Sequence, residues 1–429
     1  MHEQGRRRTL RGNRIDRSED PERDGSRRSA RSIGGGPMTD EYPIATGGSF
    51  PGKEWILAAI ERMLDGDAAL TMAEHCRAFE REVADSVGRE HGITTNSCTS
   101  ALETSLRALE DRGEEVIVPI QTFAANASSV LTAGYELRFA DIEPADHNIS
   151  LESVADKISD DTAAVVAVHF AGNVCERTAE LRELCEAHDA VLIEDCSHAH
   201  GATIDGRPAG SIGHLACFSF YATKVLTTGE GGMVLTDDDT LARRVAAIRN
   251  RGLDPASDDA RFTFLGSNYR LSEFAAVLGR SQLEHVDEFV VHRNELARSY
   301  DDRLAELTAD GLARPIAPPS NVRSSYWRYP VALASGLDRE RIRDRLAADG
   351  ITIDWAYDPP LHRQPFVTDR YDTDGVAPEG TAAMGRHICL PIHRDLSPED
   401  AAYVGDRVVE TIREAAPSAT VGAKSLDRR

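Results

Sequence analysis

The sequence predicts an α/β protein with a large, mostly parallel-sheet domain and a smaller C-terminal α+β domain. Three observations predict it. Short β-rich apolar runs alternate with helical patterns over the first two thirds of the chain, which argues for a parallel sheet with covering helices. The chemically distinctive residues fall at the carboxyl ends of those runs, where open α/β sheets bind ligands. At 429 residues the chain is too long for one small core.

Taken in order, residues 1–40 read as a disordered Arg-rich tail. The first 37 residues hold ten arginines and six acids, end in Gly34-Gly35-Gly36-Pro37, and contain almost no aliphatics. A basic nucleic-acid arm competes with a dispensable tail there, and the tail is the favoured reading. The large domain is expected over 41–290. Its helices are placed at Glu54–Met63, Ala73–Val87, Ser100–Leu109 and Thr178–His188, and its strands at Glu115–Pro119, Leu137–Asp141, Ala163–His169 and Ala190–Asp195. One long helix, Ser272 to about Leu307, leads into a small domain over 291–417. That domain is read as a strand from Trp327–Leu333, a helix Asp338–Asp349, a strand Ile351–Trp355, a Pro-rich loop Asp358–Phe366 and a helix Pro398–Ala415. Residues 418–429 read as a flexible tail.

Bulk composition narrows the function. The formal net charge of −22 argues against nucleic acid as a partner of the body of the protein. No apolar run approaches the roughly 18 residues of a membrane helix, and the Arg-rich start lacks the apolar stretch of a secretory signal. Seven cysteines stand singly, with no CxxC pair, as expected of reduced thiols in a cytoplasmic protein. Only four lysines (Lys53, Lys157, Lys224, Lys424) stand against 45 arginines and 71 acids. Such an acidic, lysine-poor surface resembles proteins of salt-loving organisms, and it makes each remaining lysine a better candidate for a specific task.

Four runs carry chemistry. Asn96-Ser97-Cys98-Thr99-Ser100 lies between a strand-like run and a helix, where N-terminal amides and hydroxyls suit a phosphate. Alone it reads as an ordinary N-cap. In Val191-Leu192-Ile193-Glu194-Asp195 an apolar strand delivers Asp195 to its carboxyl end, where a carboxylate can pair with the protonated ring nitrogen of pyridoxal phosphate. A metal site on Cys196, His198 and His200 competes, but acidic oxygen ligands at suitable spacing are not evident. In Cys217-Phe218-Ser219-Phe220-Tyr221-Ala222-Thr223-Lys224, a lysine follows an aromatic strand and precedes Gly229-Glu230-Gly231-Gly232. A desolvated lysine amine attacks aldehydes to form a Schiff base. Asn268-Tyr269-Arg270 precedes the long helix and can bind a phosphate or carboxylate.

These motifs, with Val118-Pro119, Thr122-Phe123, Val168-His169, Gly172, His200-Gly201-Ala202 and Pro360-Leu361-His362, resemble in combination and order the DegT/DnrJ/EryC1/StrS aminotransferases. The resemblance runs from about Tyr42 to Arg413. It implies a fold-type-I enzyme dependent on pyridoxal 5′-phosphate, acting as a homodimer with active sites at the subunit interface. It further implies that Lys224 carries the cofactor and shuttles protons, that Asp195 pairs with the pyridine nitrogen, and that Phe123 stacks on the ring. Cys98, Thr99 and Ser219 would hold the phosphate, and Asn268 would reach it from the neighbouring subunit. Two positions depart from the usual pattern, Cys98 for Gly and His198 for Gln, and His198 is expected by the cofactor's phenolic oxygen. A branch of the family with His in place of the lysine dehydrates sugars, so Lys224 favours transamination.

The resemblance therefore implies transfer of an amino group, with L-glutamate the expected donor, to a nucleotide-linked keto-sugar in glycan or secondary-metabolite biosynthesis. His169, Arg270 and His362 are candidates for substrate contact. The alternatives are a sugar dehydratase or isomerase of the same family, and a non-catalytic regulator.

Overall fold

Seven strands form the central sheet of the computed structural model, which describes residues 50–66, 69–109, 112–257 and 261–416. In chain order the elements begin with helices α1 (Lys53–Leu64) and α2 (Glu74–Val87), then β1 (His91–Thr95), α3 (Cys98–Arg107), β2 (Glu115–Pro119), α4 (Ala124–Ala133) and β3 (Glu136–Ala140). There follow α5 (Leu151–Ala155), β4 (Thr162–Val168), α6 (Thr178–Ala187), β5 (Val191–Asp195), the short β6 (Thr203–Ile204) and β7 (Arg207–Pro208), β8 (Leu215–Ser219) and β9 (Gly232–Thr236). The sheet order is β1-β9-β8-β5-β4-β2-β3. From β8 to β3 every pairing is parallel, and β9 runs antiparallel to both its neighbours.

The sheet is buried on both faces, as the continuous apolar run of β4 requires. Ala164, Val166 and Val168 pack with residues of α3, α4 and α7 (Asp239–Arg249), while Val165 and Ala167 pack with Val154 of α5 and Leu181 and Cys185 of α6. Alternate side chains of one strand thus enter two different layers. Each large aliphatic so buried contributes about 1.5–3 kcal/mol.

The remaining elements are α8 (Glu273–Leu283), α9 (Val286–Ala309), β10 (Ala313–Pro315), β11 (Val322–Arg323), β12 (Tyr329–Leu333), α10 (Arg339–Ala348), α11 (Pro365–Thr368), α12 (Pro378–Met384), β13 (His387–Leu390) and α13 (Pro398–Ala415). Strands β10, β12 and β13 form a second, antiparallel sheet with its own core, in which Tyr300, Leu304, Val331, Ile342 and Val408 meet.

Two expectations are corrected. The long helix from Ser272 is two helices, because the backbone at His285 (φ −112, ψ 4) leaves the helical path between α8 and α9. Asp287 and Glu288 sit in the first turn of α9, where acids favour a new N-terminus. Residues Ile351–Trp355 form no strand; Ile351 and Asp354 make only isolated bridges, Asp354 to Cys389. The backbone there turns toward the ligand cavity and reaches the left-handed region at Tyr357 (φ 65). The expected boundary at 290/291 falls inside α9, a continuous helix. The tails expected over residues 1–40 and 418–429 lie outside the described residues.

Candidate active site

A cavity of about 690 Å³ opens at the carboxyl ends of the central strands. Strand β5 ends at Asp195 and β8 at Ser219, and both residues line it. The N-termini of α3 and α4 contribute Ser97, Cys98, Thr99 and Phe123, and the loop after β8 contributes Lys224. Trp327, Arg328 and the segment Asp354–Pro359 close the far side.

Asp195 is buried, and both its oxygens are engaged. Asn126 Nδ2 donates to Oδ2 at 2.8 Å, and the Ser197 backbone N–H donates to Oδ1 at 3.0 Å. Asn126 also donates to Thr122 Oγ1 at 2.6 Å, which fixes its amide plane. A carboxylate held from two sides on a rigid strand end suits pairing with a cationic ring nitrogen.

Lys224 Nζ lies 4.2 Å from the centre of the Trp327 ring. Desolvation pushes its pKa down to about 8, while Asp195 and Cys98 push the other way and Arg328 adds to the fall. Roughly one such amine in ten is then uncharged at neutral pH, so the nucleophilic form is at hand. Cys98 is held as the neutral thiol, because burial and the nearby Asp195 raise its pKa.

The α3 terminus is shaped for an anion. Ser97 is its N-cap and accepts from Ser100 N, leaving the amides of the first turn toward the cavity wall. Gly232, at the start of β9, packs against this loop; a Cβ there would lie 2.3 Å from Ser97 O and 2.7 Å from Cys98 N. Only glycine permits that approach. With Ser219, half-buried Cys98 and Thr99, this is a polar cradle beside the Asp195 carboxylate and a lysine, and the residues fit pyridoxal 5′-phosphate.

Phe123 is 47% exposed, uncommon for a Phe, and lines the cavity with its ring 5.9 Å from Tyr357. His198 is buried behind Tyr357 and Trp327 and does not line the cavity. Its ring stacks on Trp327 at 3.8 Å and 6°, and Nε2 meets Tyr357 Oη at 2.7 Å. Burial, then the charges of Lys224 and Arg328, hold its pKa well below the usual histidine value, so it is neutral.

The three residues expected at the substrate line no part of this cavity. His169 is fully buried: Nε2 meets Glu194 at 2.9 Å and Nδ1 accepts from Cys175 N. Glu194 also accepts from the backbone of Gly210, Ile212 and Gly213, so the pair belongs to the core. His362 is buried against Phe139 with Nε2 3.3 Å from Thr381 Oγ1. Arg270 bonds Asn250, and Asn268 pairs with Asn250 as a backbone bridge. The competing metal trio also separates. Cys196 groups with His169 and Glu194, whereas the His200 ring packs against Phe218 and Phe220.

Four residues of the site carried no role in the sequence reading: Asn126, Trp327, Arg328 and Tyr357. The nearness in sequence of Thr122 and Asn126, which bond across the start of α4, is the only local signal among them.

Residues 52–409 match the model of the DegT/DnrJ/EryC1/StrS aminotransferase family. A GDP-perosamine synthase of Caulobacter vibrioides is 34% identical over 339 residues, 78% of this chain and 88% of that relative. A UDP-N-acetyl-3-dehydro-alpha-D-glucosamine 3-aminotransferase of Acidithiobacillus ferrooxidans is 32% identical, over 84% of this chain and 95% of its own. Among solved structures, Helicobacter pylori PseC, an aminotransferase involved in the biosynthesis of pseudoaminic acid, superposes with a TM-score of 0.79 at 27% identity, covering 86% of this chain and 98% of that one.

Proposed function

The chain belongs to the DegT/DnrJ/EryC1/StrS aminotransferase family, and we propose that it moves an amino group from an amino acid, L-glutamate, to a nucleotide-linked keto-sugar with pyridoxal 5′-phosphate as cofactor. The observation that carries this reading is that Lys224 and an Asp195 fixed by Asn126 face one cavity beside the polar N-terminus of α3.

When bound, the cofactor supplies a protonated pyridine ring that spreads the negative charge arising at the carbon next to the transferred nitrogen. The protein supplies the rest. Asp195 would pair with the ring nitrogen and keep it protonated, and Asn126 and Ser197 N hold Asp195 in place. The first turn of α3 and Ser219, which line the cavity, would hold the phosphate, and Phe123, also in its wall, would lie against the ring. Lys224 Nζ would hold the cofactor through its aldehyde carbon, and the same amine, when free, would take and return the proton at the carbon bearing nitrogen. Trp327 and Tyr357 wall the chamber and limit water.

The sugar part of the reading is supported by the relatives, whose names specify GDP-, UDP- and dTDP-linked sugars. Asn268, which lines no part of its own chain's cavity, is proposed to reach the partner's phosphate across a homodimer. Seven free, singly placed cysteines support a cytoplasmic setting; among the described residues no helix is long and apolar enough to cross a membrane.

The test is fixation and turnover. Borohydride should leave one cofactor mass on the Lys224 peptide, and Lys224→Ala should carry none. The loaded protein should consume glutamate once per site, then recover its starting spectrum with one member of a panel of nucleotide keto-sugars. Sugar product without glutamate consumption would point instead to a dehydratase or isomerase.

A further inference from the structure

The cavity holds a second cation that the proposed chemistry does not use. Arg328 lines it beside Lys224 and is 7% exposed. Its guanidinium lies 4.1 Å from the centre of the same Trp327 ring that Lys224 Nζ approaches to 4.2 Å. For a buried arginine it is poorly satisfied. Among the described residues its one hydrogen bond goes to Trp327 O at 3.3 Å, and Nε has no partner. The nearest carboxylate, Asp354, stands 3.5 Å from an Nη and is itself partly exposed in the cavity wall. A buried guanidinium presents five N–H groups in a fixed fork that matches a carboxylate. Leaving most of them unspent costs free energy unless a ligand completes the set.

We infer that Arg328 is the carboxylate receptor of the active site, and that the carboxylate it receives is the one next to the amine of the amino donor. This rests on the aminotransferase reading above. The placement favours the donor because its carboxylate is one bond from the carbon that loses the amine. It must therefore lie close to Lys224, and Arg328 and Lys224 share one indole as their common wall. A carboxylate on the sugar itself is the other source of the same chemistry. The indole suits the role: it lies against the guanidinium, which stands 4.1 Å from the ring centre, and makes no competing hydrogen bond with it, since Trp327 Nε1 donates to Thr223 O at 3.0 Å. Lysine at this position would keep the charge but lose the fork.

The experiment uses the cofactor-loaded protein and isothermal titration. The donor probe is α-methyl-L-glutamate, which lacks the proton that Lys224 would remove, with its α-amide as the neutral control. The sugar probes are UDP-glucuronic acid and UDP-glucose. Arg328→Gln should weaken α-methyl-L-glutamate about 10- to 100-fold, the scale of a charge-assisted hydrogen-bonded pair, and leave the amide unchanged. Arg328→Lys should fall between wild type and Arg328→Gln, which separates lost charge from a damaged fold. If the preference for UDP-glucuronic acid over UDP-glucose collapses in Arg328→Gln and α-methyl-L-glutamate binds as before, the receptor stands and its ligand is the sugar acid. Equal affinity of wild type and Arg328→Gln for both carboxylate probes overturns the inference, as does a wild type that binds neither. A wild type that consumes L-glutamate while Arg328→Gln binds like it sinks Arg328 alone. A wild type that never consumes L-glutamate sinks the aminotransferase reading as well.

Discussion

Asn126 Nδ2 donates to Asp195 Oδ2 at 2.8 Å while Asn126 itself is tied to Thr122, four residues back and just before α4. The carboxylate at the end of β5 is thus aimed by the first turn of α4. Asn126→Ala would leave Asp195 with the Ser197 amide and no side-chain partner. Losing a hydrogen bond to a buried charge costs about 1.5–3 kcal/mol. Cofactor affinity should fall about 10- to 100-fold by fluorescence titration, with little change in helix content. Unchanged affinity would show that Asp195 needs no orienting partner.

The lowered pKa of Lys224 gives a second expectation. Burial disfavours the charged amine, so the uncharged, nucleophilic form gains with rising pH and dominates above about 8. The rate at which the cofactor-free protein captures pyridoxal 5′-phosphate should climb with pH, reach half its limit near pH 8 and then flatten. An ordinary lysine, at 10.5, would keep climbing for two further pH units. Stopped-flow absorbance across pH 6.5 to pH 10 distinguishes the two profiles.

Much of this site was legible because its parts are local. Asp195, Ser219 and Lys224 announce themselves as polar residues at the ends of apolar runs, and Ser97 as a cap before a helical pattern. The rest is tertiary. Tyr357 meets His198 across 159 positions of chain, and Trp327 reaches Thr223 across 104. His169 and His362 lie in the right motifs but turn into the core, because a motif fixes a residue's place on the backbone and not the direction of its ring. The break after α8 was hidden for a related reason: apolar periodicity continues through Leu283 and Val286, and only the backbone at His285 departs.

Gly232 tests the phosphate cradle. A methyl group there would sit 2.3 Å from Ser97 O, so Gly232→Ala must push the loop before α3 away from β9. Binding of pyridoxal 5′-phosphate should weaken about tenfold or more, on the scale of one charged hydrogen bond, while binding of pyridoxal, which has no phosphate, should change little. The ratio of the two affinities is the readout. A ratio equal to that of wild type would place the phosphate elsewhere.

His200 predicts acid sensitivity that has nothing to do with catalysis. Its ring is buried against Phe218 and Phe220, neither nitrogen has a partner, and burial pushes its pKa down to about 3. The unfolded chain, at about 6.5, binds the proton the native state refuses. Stability from this group is therefore complete above pH 6.5 and is lost as pH falls toward 3, at roughly 1.4 kcal/mol per pH unit. His387, held down to about 4, adds to the loss over most of the same range. His200→Phe, which keeps a ring and removes the titrating nitrogens, should flatten the fall in urea midpoint between pH 7 and pH 4.5. Parallel curves for wild type and His200→Phe would mean that His200 is protonated in the native protein and that the aromatic pocket admits the charge.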